Sequence, residues 1–144
     1  MNLAVFMEAT GSAVTEKGRY DARSVGKLLN WSLEEMAQYL GVSAQTIRKG
    51  SDARSHQAKL QELAGLYQRL VEGFFGVCLG ERTGKERSHL SSTDRSLVKR
   101  ASAQASAWLN TPIAALGGRP KDLILSGRLA VVRALVEDII ADAE

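Results

Sequence analysis

Residue types capable of catalysis occur in this sequence, but their spacing does not assemble a reaction centre. The segment 80–86 (GERTGKE) places three residues between its glycines and Glu86 after the lysine. A phosphate-binding loop needs four residues there, and a Ser or Thr to bind magnesium. His56 and His89 are far apart and have no further ligands at metal-site spacing. Cys78 falls on an apolar helix end, where packing is its expected role. We therefore expect no enzyme, no cofactor and no metal, and look for function in binding.

The segment 32–50 (SLEEMAQYLGVSAQTIRKG) has the spacing of a helix-turn-helix. Ser32 followed by Glu35 forms a capping box that predicts a helix over 33–40. Ser43 caps a second short helix over 44–49. Glycines end both helices, and the first also permits the sharp turn between them. The positions that must pack in such a motif are Ala37, Gly41, Val42 and Ile47.

The segment resembles the Xre/Cro-type helix-turn-helix of phage repressors. That resemblance implies that the second helix lies in the DNA major groove. Its outward residues, with one following cation, are the expected DNA contacts: Ser43, Gln45, Thr46, Arg48, Lys49 and Arg54. Gln45 has the amide geometry to pair with adenine, whereas the cations are expected on phosphates. The alternative from the residues alone is a pair of surface helices joined by a glycine turn.

A second motif, WLNTPIAALGGRPKDLI, lies at 108–124. Thr111 precedes Pro112 and is therefore expected to end a helix. A Gly-Gly turn follows, and Pro120 fits the first turn of a new short helix. The segment resembles the toxin-binding region of the Xre/MbcA/ParS antitoxins. The matching residues are Trp108, Leu109, Pro112, Leu116, Gly117, Arg119, Pro120, Asp122 and Leu123.

This second resemblance implies a partner of the RES-domain class, a toxin that degrades NAD or transfers ADP-ribose from it. The antitoxin would cover or plug the NAD site. It would also repress its own operon as a homodimer on a palindromic operator. The expected toxin-binding residues, besides the exposed side of the last helix, are Trp108, Arg119, Lys121, Arg128 and Arg133. The alternative from the residues alone is that this segment is ordinary intramolecular core.

The elements that must position these motifs are all helical, because no stretch shows sustained period-2 alternation. A long helix over 55–79 carries one broad apolar stripe, which predicts a scaffold and a homodimer seam. The inner face of the last helix is predicted to be Leu129, Val132, Leu135, Val136 and Ile139. The expected division is a flexible N-terminal arm at 1–20, the helix-turn-helix at 21–54, the connecting and dimerisation helix with its loop at 55–89, and the toxin-binding domain at 90–144.

Composition sets wider bounds on the function. The hydrophobic fraction of 44% and the charged fraction of 24% are ordinary for a folded domain. The apolar runs are too short for a transmembrane helix, the N-terminus lacks the pattern of a signal peptide, and a single cysteine forms no internal disulfide. We therefore expect a cytoplasmic protein. A net charge of +3 is compatible with nucleic acid but does not demand it. Two alternatives stay open: a stand-alone Xre-type regulator without a toxin partner, and an interaction protein whose helix-turn-helix no longer binds DNA.

Overall fold

The computed structural model describes residues 13–80 and 92–143, and within these ranges the chain is helical without any strand. The α-helices are α1 (Ala22–Leu29), α2 (Leu33–Leu40), α3 (Ala44–Lys49), α4 (Gln57–Gly80), α5 (Ser92–Leu109), α6 (Pro120–Leu125) and α7 (Leu129–Ala143). Short 3-10 turns lie at Arg54–His56 and Ala114–Leu116. The predicted all-α class is confirmed. Residues 1–12 of the predicted arm, 81–91 of the predicted loop with His89, and the side chains of Phe75 and Cys78 lie outside the described residues.

Local capping chemistry sets the bounds of the first helix. The Asp21 carboxylate accepts from the Ser24 amide at 3.0 Å and so caps the N-terminus of α1. Asn30 ends the helix with φ of 59°, in the left-handed region that Asn tolerates better than most residues. Its amide donates to the carbonyls of Gly26 and Lys27. These caps place Trp31 directly after α1.

Helix α4 is the central element and is buried on more than one face. Six residues of the predicted stripe are buried, namely Leu60, Leu63, Ala64, Tyr67, Leu70 and Val71, whereas Phe74 is partly buried and the side chain of Val77 lies outside the described residues. Leu66 and Gln68, which lie off that stripe, are buried as well. Helices α1, α5 and α7 of the same chain pack against α4. The stripe therefore belongs to the chain's own core, and the homodimer stays a prediction that needs another surface.

The last helix differs from its prediction at Ile139, and Leu135, also predicted to face inward, is only half-buried. Leu129, Val132 and Val136 are buried as expected, but Ile139 is 47% exposed, so its predicted inward position was wrong. The next position that packs against the core is Ile140, four residues after Val136. A Cβ on Gly73 of α4 would lie 3.2 Å from Cγ1 of Ile140. The glycine thus lets α7 approach closely, and the approach selects Ile140 over Ile139.

Polar side chains join the N-terminal helices to α5. The Leu29 carbonyl, at the end of α1, accepts hydrogen bonds from Ser106 Oγ and Asn110 Nδ2, each at 2.9 Å. Asn110 Oδ1 accepts from Nε1 of Trp31 at 3.1 Å. Both polar ends of the Asn110 amide are therefore paired with the N-terminal part of the chain. These bonds fix the end of α5 against the end of α1.

Candidate functional site

Helices α2 and α3 form the tight pair that the sequence predicts. Ser32 Oγ accepts from the Glu35 amide at 3.1 Å, and Glu35 Oε1 accepts from the Ser32 amide at 2.9 Å, which completes the capping box. Gly41 ends α2 with φ of +74°, a conformation that L side chains strain to adopt. Ile47 of α3 is fully buried. The turn therefore holds α3 at a fixed angle to α2 and leaves its other side to solvent.

The exposed side of α3 collects the predicted DNA contacts. Ser43 caps the helix, and its hydroxyl accepts from the Thr46 amide at 3.2 Å and lies 2.9 Å from the Thr46 hydroxyl. Gln45, Arg48 and Lys49 are exposed on the same helix. Arg54 is exposed in the following 3-10 turn. The structure thus places four of the six residues on one short helix, the fifth, Ser43, at its N-cap, and the sixth, Arg54, shortly after it.

The segment that follows α5 is held by tight backbone geometry. Leu109 is fully buried and Trp108 partly buried. The Ile113 amide donates to the Gly118 carbonyl at 2.9 Å, which closes the loop. Gly117 has φ of +70°, whereas a Cβ on Gly118 would meet nothing within 4 Å. Of the predicted glycine pair, only Gly117 needs to be glycine for the backbone to adopt this loop.

The predicted toxin-binding cations occupy different environments. Arg119 forms a bidentate pair with Asp122 one turn on, with N–O distances of 2.9 and 3.0 Å. Arg128 is exposed between α6 and α7. Arg133 is exposed and donates to the Glu62 carbonyl at 3.3 Å. Three guanidinium groups therefore lie at the surface of the C-terminal helices, with Trp108 half-buried at the end of α5.

Lys121 is placed differently from the three arginines. It is only 8% exposed, and its ammonium forms an ion pair with Oε2 of Glu35 in α2. Burial would by itself raise the pKa of Glu35, but hydrogen bonds from Lys121 and from the Ser32 amide outweigh burial and lower that pKa. The ammonium of Lys121 is thus engaged within the chain, as a contact between α6 and α2.

Helix α7 carries an apolar stripe on its exposed side. Val131 is 50% exposed, Ile139 is 47% exposed, and Leu135 between them is half-buried. Spacing of four residues puts the three on one face of the helix. We call these three residues the α7 outer stripe. The sequence contained the signal, because the apolar positions of α7 are too many for one buried face.

Neither a membrane-spanning helix nor a metal-binding cluster is found among the described residues. None of its helices combines the length and apolarity needed to cross a membrane. No group of three or more His, Cys, Asp or Glu side chains within residues 13–80 and 92–143 is arranged to hold a metal ion.

Comparison with protein families defines the class of the C-terminal helices. Residues 95–139 match the family described as the antitoxin Xre/MbcA/ParS C-terminal toxin-binding domain. The match runs from α5 to α7 and includes the outer stripe. Residues 95–139 therefore match the toxin-binding domain of this antitoxin family, as predicted, and such a domain implies a toxin partner. No curated protein and no solved structure matches the chain at a significant level.

Proposed function

We propose that the chain is an antitoxin that neutralises its toxin by docking the α7 outer stripe and the neighbouring cations against it. The observation that carries this proposal is the exposed stripe inside the matched domain. Large apolar side chains that stay half-exposed on a helix are typical of a face that a partner covers. Arg128 is exposed just before the helix that carries the stripe, and such a charge supplies orientation at the rim of an interface. The chain itself performs no reaction in this proposal.

The toxin we propose is a RES-domain enzyme that degrades NAD or transfers ADP-ribose from it. The resemblance of 108–124 to the Xre/MbcA/ParS antitoxins supports this choice. Inhibition would follow from covering or plugging the NAD site. Arg119, Arg128 and Arg133 would contribute guanidinium groups to this interface, because a planar guanidinium pairs well with carboxylates of a partner. Trp108 and Lys121 would act from the edge of this surface, since one is half-buried and the other is paired with Glu35.

We further propose that the chain represses its own operon by binding DNA through α3. The exposed residues of α3 support this role, as does the rigid turn at Gly41 that orients them. Gln45 would contribute sequence discrimination, and the cations Arg48, Lys49 and Arg54 would contact phosphates. A homodimer on a palindromic operator and a cytoplasmic location complete the proposal. Both NAD and the operator DNA would be present in the cytoplasm.

Co-purification tests the antitoxin role. The chain is co-expressed with the product of the neighbouring gene, and NAD consumption by that product is measured with and without the chain. The proposal expects a stable complex and loss of NAD consumption. The variant Val131→Asp/Ile139→Asp should lose both, because two charges would be buried at the interface. Val14→Asp is the matched control, since Val14 is 36% exposed but lies outside the matched domain.

Three results would count against parts of this proposal. Full inhibition by the Val131→Asp/Ile139→Asp variant would show that the outer stripe is not part of the interface. A complex whose partner consumes no NAD would refute the RES assignment. Operator binding by a chain that forms no complex with the neighbouring gene's product would favour the stand-alone regulator instead.

A further inference from the structure

A cavity of about 390 Å³ opens between α1 and α3, and three basic side chains line it. Arg23 and Lys27 lie one turn apart on α1, and Arg48 lies on α3. All three residues are exposed, and no acidic residue lines the cavity. We call this feature the α1–α3 cradle. Its charge is of one sign only.

The other walls of the cradle are apolar and well packed. Trp31 is 6% exposed and Met36 is fully buried, and Leu33 packs partly against the same core. Such walls exclude water beneath the cations. A concave site with a low-dielectric wall and charges of one sign concentrates its field and attracts counter-ions. The cradle therefore favours an anion that enters from solvent.

The cradle cations are little engaged within the described residues. No ion pair of Arg23 or Lys27 occurs there. Asp21, which caps α1, attracts Arg23 electrostatically, but its carboxylate already accepts from the hydroxyls of Ser24 and Ser51. Arg48 lies 3.9 Å from Glu34, but both side chains are at least half exposed, so their attraction is weak. An external anion would meet little internal competition.

We propose that the α1–α3 cradle binds a phosphodiester group of duplex DNA, immediately beside the groove that α3 enters. Arg48 carries the argument, because it lines the cradle and also lies on the exposed side of α3 with Gln45. A duplex seated on α3 would therefore bring its flanking backbone over Arg48, and the same strand would reach Arg23 and Lys27. The inference rests on the proposed DNA-binding function and adds α1 as a second phosphate-binding element. It predicts that α1 contributes affinity without sequence discrimination.

Salt-dependent binding to a short duplex of random sequence tests the cradle in the full chain. Arg23→Ala/Lys27→Ala should lower the slope of log affinity against log salt by about one to two units and weaken binding roughly tenfold at moderate salt. Lys99→Ala/Arg100→Ala is the matched control, because it removes the same charge from exposed positions of α5. That control should keep the slope. The swap Arg23→Lys/Lys27→Arg should retain binding, since it keeps both charges and guards against a folding defect in the alanine variant.

The possible outcomes distinguish the cradle proposal from the DNA-binding function on which it rests. Equal slopes for the two alanine variants, with Lys49→Ala still weakening binding, would overturn the cradle and leave DNA binding through α3 intact. A wild-type chain that binds no duplex would overturn both. Inorganic phosphate is the second probe, and its binding is monitored through the NMR signal of the Trp31 indole. In one further outcome, phosphate shifts this signal while Arg23→Ala/Lys27→Ala leaves the affinity for duplex unchanged. That combination would define a small-anion site and overturn the duplex assignment.

Discussion

Glu35 uses its two carboxylate oxygens for two different parts of the molecule. Oε1 accepts from the Ser32 amide at 2.9 Å and completes the capping box of α2, while Oε2 is paired with Lys121 of α6. One carboxylate therefore stabilises the start of α2 and also contacts the first turn of α6. Helix α2 precedes the proposed DNA-contacting helix α3, and α6 belongs to the toxin-binding domain. Lys121, the other partner in the ion pair, is itself buried. Removing either partner would leave a charge with poor solvation.

Substitution of Glu35 should destabilise the protein through this pair. Glu35→Gln keeps a side-chain acceptor for the capping box but removes the charge beside Lys121. We expect a loss of about 1.5–3 kcal/mol in the free energy of unfolding, typical of a hydrogen bond to a charged group. Denaturant unfolding of the two proteins measures it. Glu35→Gln/Lys121→Met should recover much of the loss, because it removes both charges. No recovery would show that the loss does not come from an unpaired charge on Lys121.

The same pair predicts a pH dependence with a definite sign. The folded state lowers the pKa of Glu35, so the pair's contribution is fully present above the unfolded pKa of about 4.3 and is lost as pH falls through the folded value. The stability difference between the wild type and Glu35→Gln should therefore be constant near neutrality and shrink in acid. Unfolding curves at several pH values measure this difference. A difference that stays constant down to pH values well below the unfolded pKa would contradict the prediction.

Two glycines in helices should respond to alanine in opposite directions. A Cβ at Gly26 would lie 2.9 Å from Cγ of the buried Met36, so Gly26→Ala should cost about 1–3 kcal/mol by overpacking. Gly65 of α4 is exposed and has nothing within 4 Å of that position. Gly65→Ala should stabilise by about 0.5–1 kcal/mol through helix propensity. Thermal melting of both variants decides the matter. A gain at Gly26 would mean that Met36 moves aside at little cost.

Gln45 and Lys49 should separate sequence discrimination from general affinity for DNA. Gln45→Ala should relax the preference for operator over random duplex by about 1–3 kcal/mol at the affected position. Lys49→Ala should weaken both duplexes alike and reduce the salt slope by about one unit. Fluorescence anisotropy with both duplexes over a salt series gives the two quantities. If neither variant changed either quantity, α3 would not be the DNA-contacting helix.

The contact between Trp31 and Asn110 should show energetic coupling. Asn110→Ala removes a bond to the Trp31 indole and one to the Leu29 carbonyl, and we expect a loss of about 1–3 kcal/mol. Trp31→Phe removes the indole donor together with part of the ring volume, and the cycle separates the pairwise energy from that loss of packing. A double-mutant cycle should give a coupling energy of at least about 0.5 kcal/mol. Strictly additive losses would show that the two side chains act independently in the folded state.

Local sequence chemistry predicted much of this fold. Caps at Ser32 and Ser43, the glycine after α2 and the proline that opens α6 act within one helical turn, so their effects follow from neighbouring residues. The homodimer seam on α4 and the inward Ile139 were predicted from periodicity, which cannot tell which neighbour covers a face. Gly73 decided the packing of α7 by allowing a close approach.

The candidate sites divide in the same way. The outward residues of α3 followed from the resemblance to the Xre/Cro-type helix-turn-helix. The pairing of Lys121 with Glu35 did not, and neither did the bond between Trp31 and Asn110, which are 79 positions apart. Such contacts depend on tertiary packing and leave no trace in spacing. Arg23 and Lys27 were missed for the same reason, because only the folded chain places them beside Arg48.

The bonds that Asn110 makes to the N-terminal part have a practical consequence for dissecting the protein. A fragment cut within 81–91 would leave the end of α1 without its partners on α5 and expose the apolar surface that α4 shares with α5. Neither fragment would retain a complete core. Work that seeks to separate the two proposed activities should therefore rely on surface point variants of the intact chain and not on truncation.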